Sequence, residues 1–369
     1  MARLEIDLKK LRDNLKRLRS ILDKGVGVMA VVKADAYGHG IVPVSRTLEE
    51  EGVDYFGVFD VREATSLREA GIRSKICVLG GVRDRNEAEA CVHLDLSPII
   101  ADIEMLRFIQ EVSEEKQTFI NCFLKVDTGM GRLGVSLEEL PLILSEVKKA
   151  KSVELLGLAS HLSSADDDDP SFTLFQINKF NSAIGIAEDM GFKLKINHIA
   201  NSAGTIRFKE SHFQMIRTGI FLYGALPTYG FKSNIYPEPI MTLKGEVLQV
   251  RQLPPNTFVS YCRTYKTPCP LKVAVVSIGY SDGIPRSVSN KGYCLIRGRQ
   301  APIIGNICMN LTICNVECIE EVKKGDEVIF LGRQNDAKVS PEELAFWAGT
   351  IPYEIFCSIG SKNTRMYVG

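Results

Sequence analysis

A lysine that follows three apolar residues and leads into small ones is a candidate for carbonyl chemistry. Lys33 has that setting in Ala30-Val-Val-Lys-Ala-Asp-Ala-Tyr-Gly-His-Gly40. An amine beside apolar side chains loses solvation of its charged form, so its pKa falls and the free base can form a Schiff base. Taken alone, such a lysine is more often structural. Two arginines follow in glycine-bearing loops, Arg132 in Lys125-Val-Asp-Thr-Gly-Met-Gly-Arg-Leu-Gly134 and Arg217 in Arg-Thr-Gly-Ile220. A planar guanidinium suits carboxylate and phosphate oxygens. Ser202, at an expected helix start in Asn197-His-Ile-Ala-Asn-Ser-Ala203, offers a hydroxyl. Gly219 and Ile220 offer backbone N–H groups with little steric obstruction. Gly129–Gly134 also matches G-x-G-x-x-G, but the acidic residue at the required spacing, Glu154, begins its strand instead of ending it. A nicotinamide fold is therefore disfavoured.

These groups need a scaffold that gathers them. Largely continuous apolar runs at 28–33, 55–59, 76–79, 96–100, 119–126, 154–160, 194–199 and 214–217 read as strands buried on both faces. Segments with apolar residues three or four apart separate most of them, so the strands are parallel. Eight such units predict a (β/α)8 TIM-like barrel over residues 1–232, with the strand C-termini facing the active site. Loops after the seventh and eighth strands are the usual phosphate site of such barrels. Leu8, Leu11, Leu15, Leu18 and Leu22 mark an amphipathic helix ahead of the first strand, with Asp7 as its cap. A linker rich in proline, glycine and aromatics spans 227–239. Beyond it, closely spaced short strands at 243–250, 273–280, 293–297, 308–316 and 327–331 predict an all-β second domain, residues 233–369.

Lys+Arg and Asp+Glu both number 45 in the 369 residues, so the formal net charge is zero. That disfavours nucleic acid or anionic membrane as a partner. No apolar run reaches the ~20 residues of a membrane span. The 10 cysteines form no C-x-x-C pair, which disfavours zinc and fits reduced thiols in a cytoplasmic protein. Asp166–Asp169 reads as a solvated loop.

The Lys33 segment resembles the cofactor-lysine motif of the alanine racemases, in the barrel class of pyridoxal-phosphate enzymes. Later motifs match that family in order over almost the whole chain. The resemblance implies that Lys33 carries pyridoxal 5'-phosphate and that Tyr37 reaches its phosphate. Asn201, Ser202, Gly219 and Ile220 fall at the family's phosphate positions. Arg217 falls beside the pyridine nitrogen, and His161 links it to the second base. Arg132 would contact the cofactor's phenolic oxygen and the substrate carboxylate; Lys125, carbamylated in many members, would position it. The resemblance assigns the second base to Tyr261 of a partner subunit, making a homodimer with shared sites. Tyr280 would line the entry and Met309 would seat the substrate carboxylate. Asn310 stands where the family usually has aspartate, which leaves a hydrogen-bonding group without the charge. Tyr353 would pack over the substrate methyl and face the cofactor. The implied activity is two-base interconversion of L- and D-alanine, supplying D-alanine for peptidoglycan. A racemase for another amino acid such as serine, a same-fold decarboxylase and a cofactor-binding barrel without turnover are the rival readings. The third lacks a second domain, so residues 240–369 argue against it.

Overall fold

The computed structural model describes residues 2–369. Seven parallel strands pair in the order Val153–Ala159, Ile120–Lys125, Leu96–Ile100, Lys75–Val78, Tyr55–Val58, Gly27–Val31, Met215–Thr218. The expected seventh strand is present only as an irregular segment between the first and last of these. It bridges His198 to Ala159, donates the His198 N–H to Leu158 O at 3.0 Å, and on its other edge accepts the Arg217 N–H at Ala200 O, also at 3.0 Å. The side chain of Asn197 breaks the ladder by accepting the Leu158 N–H itself, at 2.9 Å. The ring still closes. Met29, Tyr55, Cys77, Ile99, Phe123, Leu156, Ala159 and Met215 form a buried cluster separate from the larger core, as inward-facing barrel layers do. Aspartates cap the intervening helices at Asp60, Asp84 and Asp102, each accepting an N–H three residues on. Asp7 does the same for helix Leu8–Arg19.

The second domain is built on the long strand Met241–Leu253, which pairs with Leu271–Val276 and Glu327–Gln334. Two sequence expectations change here. The opening strand Arg3–Asp7 does not belong with the barrel; it lies in this second sheet, between Met241–Leu253 and Arg365–Val368. Its alternate residues Leu4 and Ile6 are fully buried there. The domain is also not purely strands, because it carries helices Pro341–Ala348 and Pro352–Lys362. Ser340 and Glu343 form a capping box at the first, and Ile355, Phe356 and Ile359 give the second a buried stripe. Helix Pro352–Lys362 packs on the turn that follows Lys33. A Cβ on Gly38 would lie 2.5 Å from the Phe356 carbonyl oxygen, and one on Gly360 would overlap the Gly38 carbonyl. Both positions therefore require glycine for this contact.

Candidate active site

Lys33 follows the end of the first barrel strand. After it, Ala34, Asp35, Ala36 and Tyr37 all have φ of 53–54°, a left-handed turn in a run of residues that carry Cβ atoms. Each such residue costs about 1–2 kcal/mol. Local contacts over-determine the turn. Asp35 Oδ1 accepts the Ile41 N–H at 2.7 Å, and its other oxygen pairs with Arg365 at 2.6 Å. Arg365 Nε also donates to Gly38 O at 2.7 Å. His39 Nδ1 donates to Ala36 O at 2.9 Å. Glu63 Oε1 accepts the Ala34 N–H at 2.6 Å. Burial lowers the pKa of Lys33, and the Arg132 and Arg217 charges push the same way; Glu63 opposes them.

Arg217 leaves the eighth strand only 5% exposed. It donates to the carbonyls of Ser160 at 2.6 Å, His198 at 3.0 Å and Ile199 at 3.1 Å. The same two terminal nitrogens also meet His198 Nδ1 at 2.6 Å and His161 Nδ1 at 2.9 Å, so Nη2 shares its two hydrogens among three acceptors. A guanidinium only donates, so both rings accept there and keep their protons on Nε2. Burial, then the Arg217 charge, holds both imidazoles well below the usual pKa, so they stay neutral. Burial lowers even Arg217, to about 10. Lys125 is likewise far below its ordinary value through burial, Arg217 and Arg132. Lys33, Lys125, Arg132 and Arg217 thus converge, and among the described residues none of the four has an ion-pair partner. Such a site calls for anions.

A cluster of hydroxyls and a backbone N–H gathers where the eighth strand ends. The Gly219 N–H meets Ser202 Oγ at 3.3 Å, and Ser202 Oγ lies 3.2 Å from Thr218 Oγ1. A Cβ on Gly219 would lie 2.7 Å from the Tyr37 hydroxyl. Glycine there lets the Tyr37 hydroxyl approach the backbone beside Ser202 and Thr218, so three hydroxyls and the Gly219 N–H gather at one point, a donor set suited to phosphate oxygens. Asn201 has a different task, because its amide caps helix Ser202–Arg207 through Gly204 N at 2.9 Å and donates to Leu162 O at 3.1 Å. Ile220 is buried beside Gly219. Tyr353, on helix Pro352–Lys362, sets its ring 5.8 Å from that of Tyr37.

The remaining sequence-selected residues lie on the second domain. Tyr280 is not at a strand end as expected; it begins a 3-10 turn, and Tyr280 N donates to Cys308 O at 3.1 Å. Asn310 Nδ2 donates to Ser281 Oγ at 2.7 Å, and Met309 is 55% exposed. Tyr261 is 66% exposed in a loop tied to Asn306, whose amide donates to Tyr261 O at 2.7 Å. It is not among the groups whose charge acts on Lys33. Two participants escaped sequence reading. His198 lies inside a segment already singled out, but an isolated histidine carries no signal of its own. Glu63 touches Lys33's turn only because the start of helix Val61–Glu69 meets it.

The two domains match the family models for the alanine racemase N-terminal domain, over residues 6–227, and C-terminal domain, over residues 240–367. The chain belongs to the alanine racemase family. It is 38% identical over 368 residues to the alanine racemase of Geobacter sulfurreducens, covering 99% of this chain and 96% of that one. The crystal structure of alanine racemase from D-cycloserine-producing Streptomyces lavendulae superposes with a TM-score of 0.93 at 30% identity, covering 100% of this chain and 97% of that one. The Bacillus anthracis alanine racemase, solved with bound L-Ala-P, gives 0.89 at 30% identity, covering 100% and 95%. The family depends on pyridoxal phosphate. Among the described residues no helix is long and apolar enough to cross a membrane.

Proposed function

We propose that this member of the family interconverts L- and D-alanine in the cytoplasm, using pyridoxal 5'-phosphate held by Lys33. The observation that carries the reading is the buried Arg217, fixed between two neutral imidazoles with no acid beside it. The donor set fits the cofactor. The Ser202–Gly219–Tyr37 donor cluster would hold its phosphate, Lys33 its aldehyde carbon, and Arg217 its ring nitrogen. Bound there, the cofactor supplies the electron-withdrawing ring that makes the substrate's α-hydrogen acidic.

The chain's own residues do the rest. Arg217 cannot give up a proton readily, so it disfavours protonation of a ring nitrogen and tempers that withdrawal. Arg132, with Lys125 behind it, offers a bidentate grip for the substrate carboxylate. Lys33 Nζ, partly desolvated, moves a proton on one face. Tyr261 from a second copy moves it on the other, with Tyr280, Met309 and Asn310 around the entry. Tyr353 limits the space for the side chain, which favours alanine.

Purified protein supplied with pyridoxal phosphate should racemise L-alanine faster than L-serine or L-lysine when the enantiomers are resolved. Lys33→Ala should abolish this. Wild-type turnover in that variant would remove Lys33 from the chemistry, and faster turnover of serine or lysine would overturn the substrate.

A further inference from the structure

Glu63 lies on the second barrel helix, Val61–Glu69, outside every motif discussed above. Its position is the third of that helix, where a glutamate ordinarily reaches back over the N-terminus. One oxygen does so, accepting the Phe59 N–H at 2.7 Å. The other crosses to the neighbouring loop and accepts the Ala34 N–H at 2.6 Å. The next helix supplies a control. Glu87 holds the same position behind Asp84 and accepts the Arg83 N–H at 2.8 Å, yet its second oxygen turns to the Arg83 side chain. Glu63 thus has a cap's geometry plus one bond that a cap does not need.

We propose that Glu63 is a positioning residue for Lys33: its carboxylate pins the first residue of the left-handed turn and places a negative charge beside an amine otherwise surrounded by cations. Ala34 is bonded directly to Lys33, so the pin fixes where the lysine chain departs from the barrel. The groups facing Lys33 are Arg132, Glu63, Arg217 and the half-buried Cys357. Arg132 and Arg217 favour the neutral amine, and Glu63 is the carboxylate that resists them. Glu63→Gln keeps one acceptor oxygen and nearly the same shape. It removes the charge and turns an N–H2 toward one backbone donor, so one bond must break.

This inference rests on Lys33 being the cofactor lysine, and the experiment separates the two. Borohydride reduction of the wild-type holoenzyme followed by peptide mapping should find the cofactor on Lys33; a label elsewhere overturns that reading. In apoenzyme, the pH dependence of Lys33 acylation by a small reagent reports its own pKa. Glu63→Gln should move the midpoint down by about half a unit or more, the sign expected for loss of a nearby opposite charge. In the holoenzyme it should lower kcat roughly tenfold, since misplacement by an ångström costs up to ~100-fold. KM should change little. Glu87→Gln should leave the midpoint and kcat at wild-type values while lowering Tm comparably. If Glu63→Gln folds with a wild-type midpoint and kcat, or if both variants shift alike, Glu63 is only a cap. Should Glu63→Gln fail to fold, Glu63→Asp serves instead: it keeps the charge but shortens the reach, so kcat should fall while the midpoint moves less.

Discussion

At the scale of single residues, three aromatic rings gather beside the turn that follows Lys33, and one buried histidine sets a pH limit. Tyr37 sits 5.0 Å from Tyr223 and 5.8 Å from Tyr353, ring to ring, and the Tyr223 hydroxyl is anchored on Val31 O at 2.8 Å. Of the three rings, Tyr353 is the one the second domain contributes. Tyr353→Ala should raise the serine-to-alanine ratio of kcat/KM about tenfold, the scale of one small group in a pocket. An unchanged ratio would mean that this ring does not bound the side chain. His39 is fully buried against Tyr223, ring centroids 4.6 Å apart, and its Nε2 has no partner. Burial pushes its pKa down to about 3 from an ordinary 6.5. The unfolded chain therefore binds the extra proton across that interval, and the fold loses stability as pH falls through it. The loss from one such group reaches about 1.4 kcal/mol per pH unit. Denaturant midpoints between about pH 6 and pH 4 should fall more steeply in wild type than in His39→Phe. Parallel slopes would show that another group carries the acid sensitivity.

At the scale of elements, the barrel's weak stave is the segment around His198. The sequence run at 194–199 marked it as a strand, yet the Asn197 side chain takes over a bond that a ladder would make, and the backbone bends into a single bridge. The irregularity brings His198 Nδ1 and the carbonyls of His198 and Ile199 onto Arg217, so the disorder of the ladder serves the site. Asn197→Ala would strand the Leu158 N–H in the core. An orphaned buried donor costs about 1–3 kcal/mol, which urea unfolding should register as a lower midpoint at unchanged slope. A wild-type midpoint would mean that the strand repairs itself. Apolar runs and aspartate caps were readable because strand period, helix period and capping are local properties. The kink at Asn197 was not, since its cause is the position of Leu158 on another strand.

At the scale of the whole molecule, Lys33 and Tyr261 belong to different domains, and Tyr261 stands 66% exposed. Its loop holds Ser260, Cys262 and Arg263 at φ of 51–62°, a conformation that residues with Cβ atoms adopt only when constrained. A two-fold dimer would let that loop enter the partner's barrel. Lys33→Ala and Tyr261→Phe homodimers should each be nearly inactive. Unfolding the two together and refolding should recover about a quarter of wild-type activity, because half of randomly assorted two-fold dimers are mixed and each has one intact site. Mixed dimers confirmed by a mass tag but without activity would rule out sharing between subunits.

The sequence by itself determined the ingredients. Continuous apolar runs specify parallel buried strands, the change of texture near residue 230 marks a second domain, and Lys33 and Arg217 end apolar runs, where a barrel gathers its site. Motif resemblance named the family from the same residues. Tertiary structure decided what depends on chain segments meeting. The strand Arg3–Asp7 joins a sheet more than 200 residues away because it buries Leu4 and Ile6 there, and no local pattern encodes that choice. The left-handed turn after Lys33 runs against the intrinsic preference of its residues and exists only under the hold of Glu63, Arg365 and helix Pro352–Lys362. Local preference is written residue by residue; a strained conformation is written in the distant contacts that enforce it.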